Sequence, residues 1–291
     1  MPDATLHTPV LDWYAAHARE LPWRRPSTPA WGVLVSEVML QQTPVARVLP
    51  VYDAWMRTWP TPARLAAVPP GDAVRAWGRL GYPRRALRLH AAARAITDQH
   101  DGVVPSEPAE LRALPGVGEY TASAVAAFAY RQRHAVLDTN VRRVLARTLA
   151  GTAHPPGWVT VAERQAAEEV LPDDDATAAR WSVAVMELGA TVCTARAPDC
   201  TACPVAGECA WAAAGFPAYD GPARRRQGYA GTDRQCRGRL LAVLRESDGP
   251  VHRSTLQRVW EEPSQQARAL EGLVADGLVE PLGADLLRLP V

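Results

Sequence analysis

The sequence contains no lysine, so all 32 of its basic residues are arginine. Because a Schiff base needs a free amine, only the terminal amine remains for that chemistry, and every side chain is excluded from it. The 291 residues also carry 31 acidic groups, which leaves a net charge of only +1. A hydrophobic content of 47% and a charged content of 22% are ordinary for a globular protein and exclude wholesale disorder.

The sequence also lacks a membrane-spanning run and the features of a secretory leader. No apolar run approaches the ~18 residues that a membrane span needs. The first residues, MPDAT, lack the charged and apolar regions of a secretory leader. We therefore expect the protein to work in the cytoplasm, away from membranes. At ~100–200 residues per domain, the length predicts one large or two modest domains.

The chain is predicted to be mostly helical from residue 8 to residue 220, because apolar residues and arginines recur there at spacings of three and four. An arginine-rich linker over 221–232 then leads to a compact tail, 233–291. The tail pattern is helix, helix, helix and an apolar hairpin with a turn at Gly283. This order predicts a small winged-helix-like domain.

Four of the five cysteines lie within 17 residues and give the pattern C-x6-C-x2-C-x5-C. In a cytoplasmic protein such crowding indicates a metal site rather than disulfides. Four thiolates suit either tetrahedral zinc or an iron–sulfur cluster, and the spacing alone leaves both open. The candidate ligands are Cys193, Cys200, Cys203 and Cys209, whereas Cys236 stands apart and is expected to be a buried or surface thiol.

A short glycine-containing motif, LPGVG, lies between two predicted helices at residues 114–118. Gly116 and Gly118 let backbone amides converge at the start of the second helix, where the helix dipole also favours an anion. A phosphate group is the anion that we expect to bind there. The same motif also suits any tight turn between helices, so on its own it leaves both interpretations open.

Two acidic residues lie in unusual surroundings. Glu37 is embedded in an apolar helical run, and a buried carboxyl tends to stay protonated, which is the state a general acid needs. The alternative is a glutamate on the wet face of its helix. Asp138 precedes a predicted helix and is either a functional carboxylate or only an N-cap. Downstream, the arginines at 142, 143 and 147 face either a phosphate backbone or solvent.

In this order the hairpin, Asp138 and the cysteine pattern resemble the helix-hairpin-helix DNA glycosylases of the endonuclease III type, over about residues 8–220. The segment SEVMLQQT at residues 36–43 resembles the signature of their A/G-specific adenine glycosylase branch, the MutY family. Four further segments are similar to that branch: LPWR at 21–24, GY at 81–82, LDTNV at 137–141 and MELG at 186–189.

The resemblance implies an all-α fold for a glycosylase domain over residues 1–220. A six-helix barrel with the hairpin would span 23–132, and an iron–sulfur module would combine 1–22 with 133–220. It also implies a 4Fe–4S cluster on the four cysteines and a bacterial, nucleoid-associated monomer. The implied partner is double-stranded DNA that contains adenine opposite 8-oxoguanine or guanine.

The resemblance further implies a mechanism for removing that adenine after base flipping. Glu37 would protonate N7 of the base, Asp138 would stabilise the positively charged sugar, and Asn140 would hydrogen-bond in the same site. Bifunctional relatives carry a lysine where this chain has Tyr120. The chain is therefore expected to be a monofunctional glycosylase that leaves an abasic site.

Two groups of recognition residues follow from the same resemblance. The adenine pocket would contain Arg19, Leu21, Trp23, Arg24 and Glu187. Contacts to DNA would come from Gln41, Gln42, Thr43, Leu80, Tyr82, Leu114, Gly116, Val117, Gly118, Arg142 and Arg143. Within that set, Gln42, Leu80 and Tyr82 match the family residues that wedge into the duplex near the opposing base.

The tail departs from the family, because many members carry a longer Nudix-like domain that recognises 8-oxoguanine. Only 82 residues follow Cys209, and from residue 220 to residue 239 the charge is +4. We expect the tail to add affinity for duplex DNA, with lesion discrimination left mainly to the wedge residues.

Two other functions remain open at this point. One is a monofunctional glycosylase for thymine or uracil in mismatches, and Glu37 argues against it because protonating a purine N7 needs that acid. The other is a non-catalytic iron–sulfur protein that binds DNA or senses redox state. The presence of both Glu37 and Asp138 argues against that interpretation.

Overall fold

The computed structural model describes residues 3–219, 221 and 228–291. Much of the predicted arginine-rich linker, including its three consecutive arginines at 224–226, lies outside the described residues. The described residues form fifteen α-helices and three short β-strands. The predicted helical fold class with a small C-terminal hairpin is confirmed.

The helices before the tail begin and end at identifiable signals. Asp138, Thr160 and Asp174 each accept a backbone N–H with their side chain at the start of a helix. Two 3-10 turns, Pro22–Arg24 and Ala206–Glu208, connect longer elements. The α-helices are α1 Asp3–His17, α2 Ala30–Leu40, α3 Val45–Thr58, α4 Pro62–Ala66, α5 Pro70–Trp77, α6 Arg84–Gln99, α7 Pro108–Ala113, α8 Glu119–Tyr130, α9 Thr139–Thr148, α10 Val161–Glu169, α11 Asp175–Thr191 and α12 Ala210–Ala213.

The chain divides into two compact units. The first comprises Met1–Val33, Ser106–Arg112 and Val117–Ala223. Its core forms where α1 and α9 pack against α11, because each of these helices presents an apolar stripe inward. The buried side chains of this core include Leu6, Val10, Val141, Val144, Trp181, Val185 and Leu188.

The second unit comprises Leu34–Pro105, Ala113–Gly116 and Arg224–Val291. In its barrel part, α6 packs against α4 and α5. Trp55 meets Trp59 and Trp77 edge to face, with ring centroids 4.7 Å and 5.7 Å apart. Aromatic pairs in this geometry contribute beyond the area that they bury. The unit therefore has its own aromatic core next to α5.

The tail has the element order of a winged helix. Three helices, α13 Asp233–Glu246, α14 Arg253–Gln257 and α15 Pro263–Ala275, precede a hairpin of β2 Glu280–Leu282 and β3 Leu286–Arg288. A two-residue strand, β1 Val251–His252, joins the antiparallel sheet in the order β1-β3-β2. This strand was not predicted, because two residues give no detectable alternation. Gly283 has a φ of 70° and turns the hairpin.

Within the second unit, the tail packs on α5 instead of standing apart from the barrel helices. The backbone N–H of Gly71 donates to the carbonyl of Pro290 at 2.8 Å. A methyl group at Gly71 would lie 2.4 Å from the same oxygen, so only glycine fits this approach. From the other end of the tail, Arg245 reaches the last turn of α5. Among the described residues, no helix is long and apolar enough to cross a membrane.

Candidate active site

Glu37 lies in the middle of α2 and is buried, with 4% of its surface exposed. Its helix neighbours Leu34, Val35, Val38 and Met39 are buried as well, so this helix has no wet face at that point. The structure thus confirms the predicted burial and excludes a solvent-facing glutamate. A carboxyl in such surroundings favours its protonated form.

Asp138 is the N-cap of α9 and also a candidate site carboxylate. Its Oδ1 accepts the backbone N–H groups of Asn140 at 2.8 Å and Val141 at 2.6 Å, and its Oδ2 accepts the side-chain amide of Asn140 at 2.7 Å. Burial raises the pKa of Asp138, although these hydrogen bonds and the charge of Arg143 act to lower it. The N-cap interpretation of Asp138 is confirmed, and the buried carboxyl remains a candidate site residue.

Asn140 is held in a fixed orientation between Asp138 and α11. Its Oδ1 accepts a hydrogen bond from Nη2 of Arg143 at 2.8 Å, while its amide nitrogen donates to Asp138. A methyl group at Gly189 would lie 2.8 Å from both Cβ and the carbonyl oxygen of Asn140. The glycine of the MELG segment is thus required for α11 to approach the start of α9.

The predicted adenine-pocket residues of the first unit include an ion triad around a buried carboxylate. Glu187 on α11 is fully buried, and its Oε1 accepts Nε of Arg19 at 2.6 Å while its Oε2 accepts Nη2 of Arg24 at 2.8 Å. Although burial opposes ionisation, the hydrogen bonds from Arg19 and Arg24 lower the pKa of Glu187 to about 2. The carboxylate is therefore ionised throughout the neutral range.

The other two pocket candidates, Leu21 and Trp23, are also buried, and both lie between Arg19 and Arg24 in the sequence. Trp23 belongs to the 3-10 turn that also carries Arg24. Nη1 of Arg24 is buried and has no hydrogen-bond partner among the described residues. A buried donor without a partner is costly in a native structure, so this atom is free to serve an acceptor on a ligand.

Gln42 and Tyr82 are the exposed members of the predicted wedge group in the second unit. Both adopt a left-handed backbone conformation, with φ values of 54° and 46°, and Tyr82 is 50% exposed. Residues other than glycine rarely adopt this conformation, and it tends to occur where function requires it. Leu80, expected to wedge into the duplex, is instead buried at 4% exposure, because it packs into the unit and its carbonyl accepts from Thr43.

Arg85 on α6 joins the two segments that carry these exposed side chains. Its Nη1 donates to the carbonyls of Val38 at 2.9 Å, Met39 at 3.1 Å and Gln41 at 2.5 Å. Its Nη2 donates to Oγ1 of Thr43 at 2.9 Å and to the carbonyl of Gly81 at 3.1 Å. The guanidinium also lies over the rings of Trp77 and Tyr82, at 5.2 Å and 5.6 Å. Nothing in the sequence analysis had singled out this residue.

We expect Arg85→Gln to weaken the second unit and the binding of substrate DNA together. A glutamine cannot reach all five acceptors, and buried acceptors left without partners cost ~1–3 kcal/mol each before relaxation. Chemical denaturation should show a loss of stability, and a binding titration should show weaker binding to the substrate duplex. Arg94→Gln is the matched control, since Arg94 is exposed on the same helix. Equal behaviour of the two variants would contradict the role given to Arg85.

The hairpin motif forms the turn between α7 and α8, with Leu114 and Val117 buried beneath it. Gly116 has a φ of 79°, and a methyl group there would lie 2.6 Å from Cβ of Arg88, so glycine is required. Gly118 is the N-cap of α8 and faces open space. This leaves the first amides of α8 accessible to an anion, as the motif predicts.

Tyr120 lies in the first turn of α8, at the position where bifunctional relatives carry lysine. Its ring is partly buried and packs against the small cluster formed by Ala124, Ala127 and Val136. The side chain therefore helps to fill the first unit behind the hairpin.

The arginines of α9 do not face phosphate or solvent, and this expectation is corrected. Arg142 is buried in an ion pair with Glu163, with Nε 2.8 Å from Oε1. Arg143 is buried and donates to the carbonyls of Gly189 at 2.6 Å and Cys193 at 2.7 Å. The helix periodicity turns these side chains inward, where loop carbonyls need donors. The sequence alone does not indicate that these arginines point inward, because their partners are distant along the chain.

Four cysteines converge in the first unit, as their spacing predicts. Cys193, Cys200, Cys203 and Cys209 line one cavity together with apolar residues of α9 and α11. Burial raises the pKa of Cys203 to about 11 and also raises that of Cys200. Among the described residues, no three Cys, His, Asp or Glu side chains converge closely enough for a single metal ion.

Arg147 connects the cysteine loop to α9. Its Nη1 donates to Sγ of Cys193 at 3.2 Å and to the carbonyl of Thr194 at 2.8 Å, and its own carbonyl accepts Sγ of Cys209. Its guanidinium also lies 4.6 Å from the ring centre of Trp211. A fixed positive charge beside the thiols favours an anionic set of ligands. The fifth cysteine, Cys236, is fully buried in the core of the tail.

Comparisons with known proteins match this arrangement. The sequence model of the HhH-GPD superfamily of base excision DNA repair proteins matches residues 35–162. Adenine DNA glycosylase of Mycolicibacterium smegmatis is 54% identical over 272 residues, which cover 93% of this chain and 91% of the relative. The human adenine DNA glycosylase is 41% identical over 208 residues, which cover 69% of this chain and 38% of the relative.

Two solved structures show the same fold. A thermostable thymine-DNA glycosylase superposes with a TM-score of 0.65 at 24% identity, covering 72% of this chain and 96% of that structure. A non-covalent complex of endonuclease III with DNA superposes with a TM-score of 0.61 at 21% identity, covering 74% of this chain and 98% of that structure.

Proposed function

The chain belongs to the adenine DNA glycosylase family, and on this premise we propose that it removes adenine mispaired with 8-oxoguanine or guanine and leaves an abasic site. It acts on DNA as an enzyme of base excision repair. The single observation that supports the finer proposal is the burial of Glu37 in the apolar helix α2, because a carboxyl in such surroundings suits the general acid that a purine leaving group needs.

The reaction begins when the adenine leaves the base stack, since no side chain reaches its sugar bond inside a duplex. Glu37 then donates a proton to N7 of the base. The leaving group departs as neutral adenine rather than as an anion, and this lowers the barrier to breaking the N-glycosidic bond. The burial of Glu37 in an apolar helix suits the protonated acid that this step needs.

Asp138 then stabilises the sugar, which develops positive charge as the bond breaks. The amide of Asn140 and two backbone N–H groups fix both of its oxygens, so the carboxylate does not have to reorganise during the reaction. Its role follows the logic of glycosidases, in which one carboxyl donates a proton and the other supports the oxocarbenium ion. A water molecule then attacks the sugar and completes hydrolysis.

No strand cleavage through a Schiff base accompanies this reaction. The sequence contains no lysine, and the position of the lyase lysine in bifunctional relatives holds Tyr120. A tyrosine hydroxyl cannot form an imine with the abasic sugar. The product is therefore an intact strand with one abasic site.

Recognition of the base is assigned to the first unit and recognition of the opposing base to the second. In the first, the ion triad of Arg19, Glu187 and Arg24 leaves Nη1 of Arg24 as a donor for an acceptor nitrogen of adenine. In the second, Gln42 and Tyr82 are the exposed residues that would contact the duplex near 8-oxoguanine.

A base-release assay tests the function directly. Duplexes carry adenine, thymine or uracil opposite guanine or 8-oxoguanine, and the released base and the abasic site are both quantified. We expect release of adenine alone, and strand cleavage only after alkali treatment. Release of thymine or uracil but not adenine would instead identify a pyrimidine mismatch glycosylase.

The four cysteines would hold a 4Fe–4S cluster. They line one cavity, and four thiolates suit such a cluster, which the resemblance to cluster-bearing relatives favours over tetrahedral zinc. Arg147 would offset the negative charge of the thiolate ligands. Bound there, the group would cross-link the loop after α11, because all four ligands lie between residues 193 and 209 and metal binding and folding are coupled.

The purified protein should therefore be brown and contain about four irons per chain. Cys193→Ser should lose iron and thermal stability together, because it removes one ligand and the partner of Arg147. Cys236→Ala is the control and should keep its iron, since Cys236 lies in the tail core. Metal analysis and the visible absorption spectrum check both. Stoichiometric zinc without iron in anaerobically prepared protein would contradict the cluster.

A further inference from the structure

Among the contacts between the tail and the helices before it, those at the last turn of α5 lie next to the segment that leads to Tyr82. The side chain of Arg245 on α13 donates from Nε to the carbonyl of Val74 at 3.0 Å and from Nη1 to the carbonyl of Gly78. In return, Nη1 of Arg75 donates to the carbonyl of Ser247 at 2.8 Å. Burial lowers the pKa of Arg245 to about 10, so the side chain is still charged at neutral pH.

The carbonyls of Val74 and Gly78 that Arg245 binds lie at the C-terminal end of α5. The last carbonyls of a helix have no partner within it, and a buried cation is a favourable cap for them. Gly78 ends α5 with a φ of 53° and a ψ of −127°, a conformation open to glycine but strained for other residues. The orientation of this peptide sets the direction in which the chain leaves α5, and Arg245 fixes that orientation.

The segment that follows, residues 78–82, ends at the exposed Tyr82. Each carbonyl before Tyr82 accepts a hydrogen bond: Gly78 from Arg245, Arg79 from Arg47, Leu80 from Thr43, and Gly81 from Trp77 and Arg85. Four of these five donors belong to the barrel helices or to the loop after α2, and only Arg245 comes from the tail. The tail thus supplies the first of the hydrogen bonds that hold the successive carbonyls of residues 78–81.

We propose that the C-terminal winged-helix-like module is a positioning element for Tyr82, acting through Arg245 on the peptide of Gly78. The proposal rests on the proposed function, because it makes the module contribute to discrimination of the base opposite adenine. It does so through contacts within the protein. A small module can in this way affect lesion recognition without resembling a Nudix-like domain.

The test uses full-length variants and the ratio of dissociation constants for adenine opposite guanine and adenine opposite 8-oxoguanine. Arg245→Gln should reduce this discrimination by roughly five- to tenfold, the size of coupling usual between contacting residues. Arg288→Gln is the matched control, since Arg288 pairs with Glu280 inside the tail hairpin at 3.1 Å. It should leave the ratio unchanged.

A double-mutant cycle separates positioning from a general loss of stability. In a Tyr82→Ala background, Arg245→Gln should change the ratio no further, because the residue that it positions is gone. If Arg245→Gln does not fold, Arg245→Lys carries the same comparison, since it keeps the charge but loses the forked geometry. An unchanged ratio in folded variants, or the same change in both backgrounds, would overturn the proposal.

The two proposals fail in different ways. If the wild-type protein released no adenine, the proposed function would be wrong. If it released adenine and Arg245→Gln kept full discrimination, only the positioning role of the tail would be wrong.

Discussion

Glu37→Gln should abolish adenine release while leaving the binding of mismatched DNA largely intact. The amide keeps the shape of the side chain inside α2 but has no acidic proton to give to N7 of the base. Because general acid catalysis contributes ~10²–10⁴-fold, we expect single-turnover release to slow by at least about a hundredfold. The burial of Glu37 makes this test specific, since a solvent-exposed glutamate would be replaceable by water.

The control for this variant is Glu110→Gln, because Glu110 is an exposed glutamate on α7. It should retain the wild-type rate. Titration of a duplex that carries an uncleavable adenine analogue checks that Glu37→Gln still binds. A release rate near that of the wild type in the Glu37→Gln protein would refute its role as the acid.

Glu187→Gln should produce a clear loss of stability in the first unit. The variant leaves Arg19 and Arg24 without the carboxylate that accepts their hydrogen bonds at 2.6 Å and 2.8 Å. The loss should lie below the ~3–5 kcal/mol of a fully buried pair, since Arg24 is 16% exposed and Arg19 is 39% exposed, so solvent screens the charge that remains on Arg19. Urea denaturation should therefore show a markedly lower midpoint, and adenine release should fall as the pocket loosens.

The same carboxylate predicts how stability depends on pH. Its pKa is lowered from 4.5 to about 2 in the folded protein, so its contribution is present above about pH 4.5 and is lost as the pH falls towards 2. The loss in this window should be smaller in Glu187→Gln but not absent, since other carboxyls with a lowered pKa, such as Glu163, keep their contribution. Glu168→Gln is the control, since Glu168 is 53% exposed and pairs with Arg133 at 3.5 Å. It should cost no more than ~1 kcal/mol.

The chemical identity of the site was readable from local sequence. Glu37 lies in an apolar run of helical length, and Asp138 stands before a helix, so burial of the first and capping by the second follow from nearest neighbours alone. The cysteine spacing and the two hairpin glycines are similarly local.

Long-range contacts decided the rest. Arg142 and Arg143 read as surface cations because arginine usually is one, yet they satisfy carbonyls and a carboxylate up to 50 residues away in sequence. Leu80 was assigned as a wedge residue by its resemblance to the family pattern, but the turn buries it. The backbone dihedral angles of a loop decide which of its side chains point outward. The positive φ of Tyr82 is one such angle, and local composition does not specify it.

The sequence by itself determined the chemistry of this protein: an apolar helix around one acid, a capping aspartate, a thiolate set and the absence of any lysine amine. These properties depend on residue type and on neighbours within a few positions. The tertiary structure alone decided how those groups are held, through Arg85 on two loops, Arg147 on the cysteines and Arg245 on α5. The physical reason is that these guanidinium groups bind mainly backbone carbonyls. Because every residue has a backbone carbonyl, the sequence does not indicate which ones an arginine will bind in the folded chain.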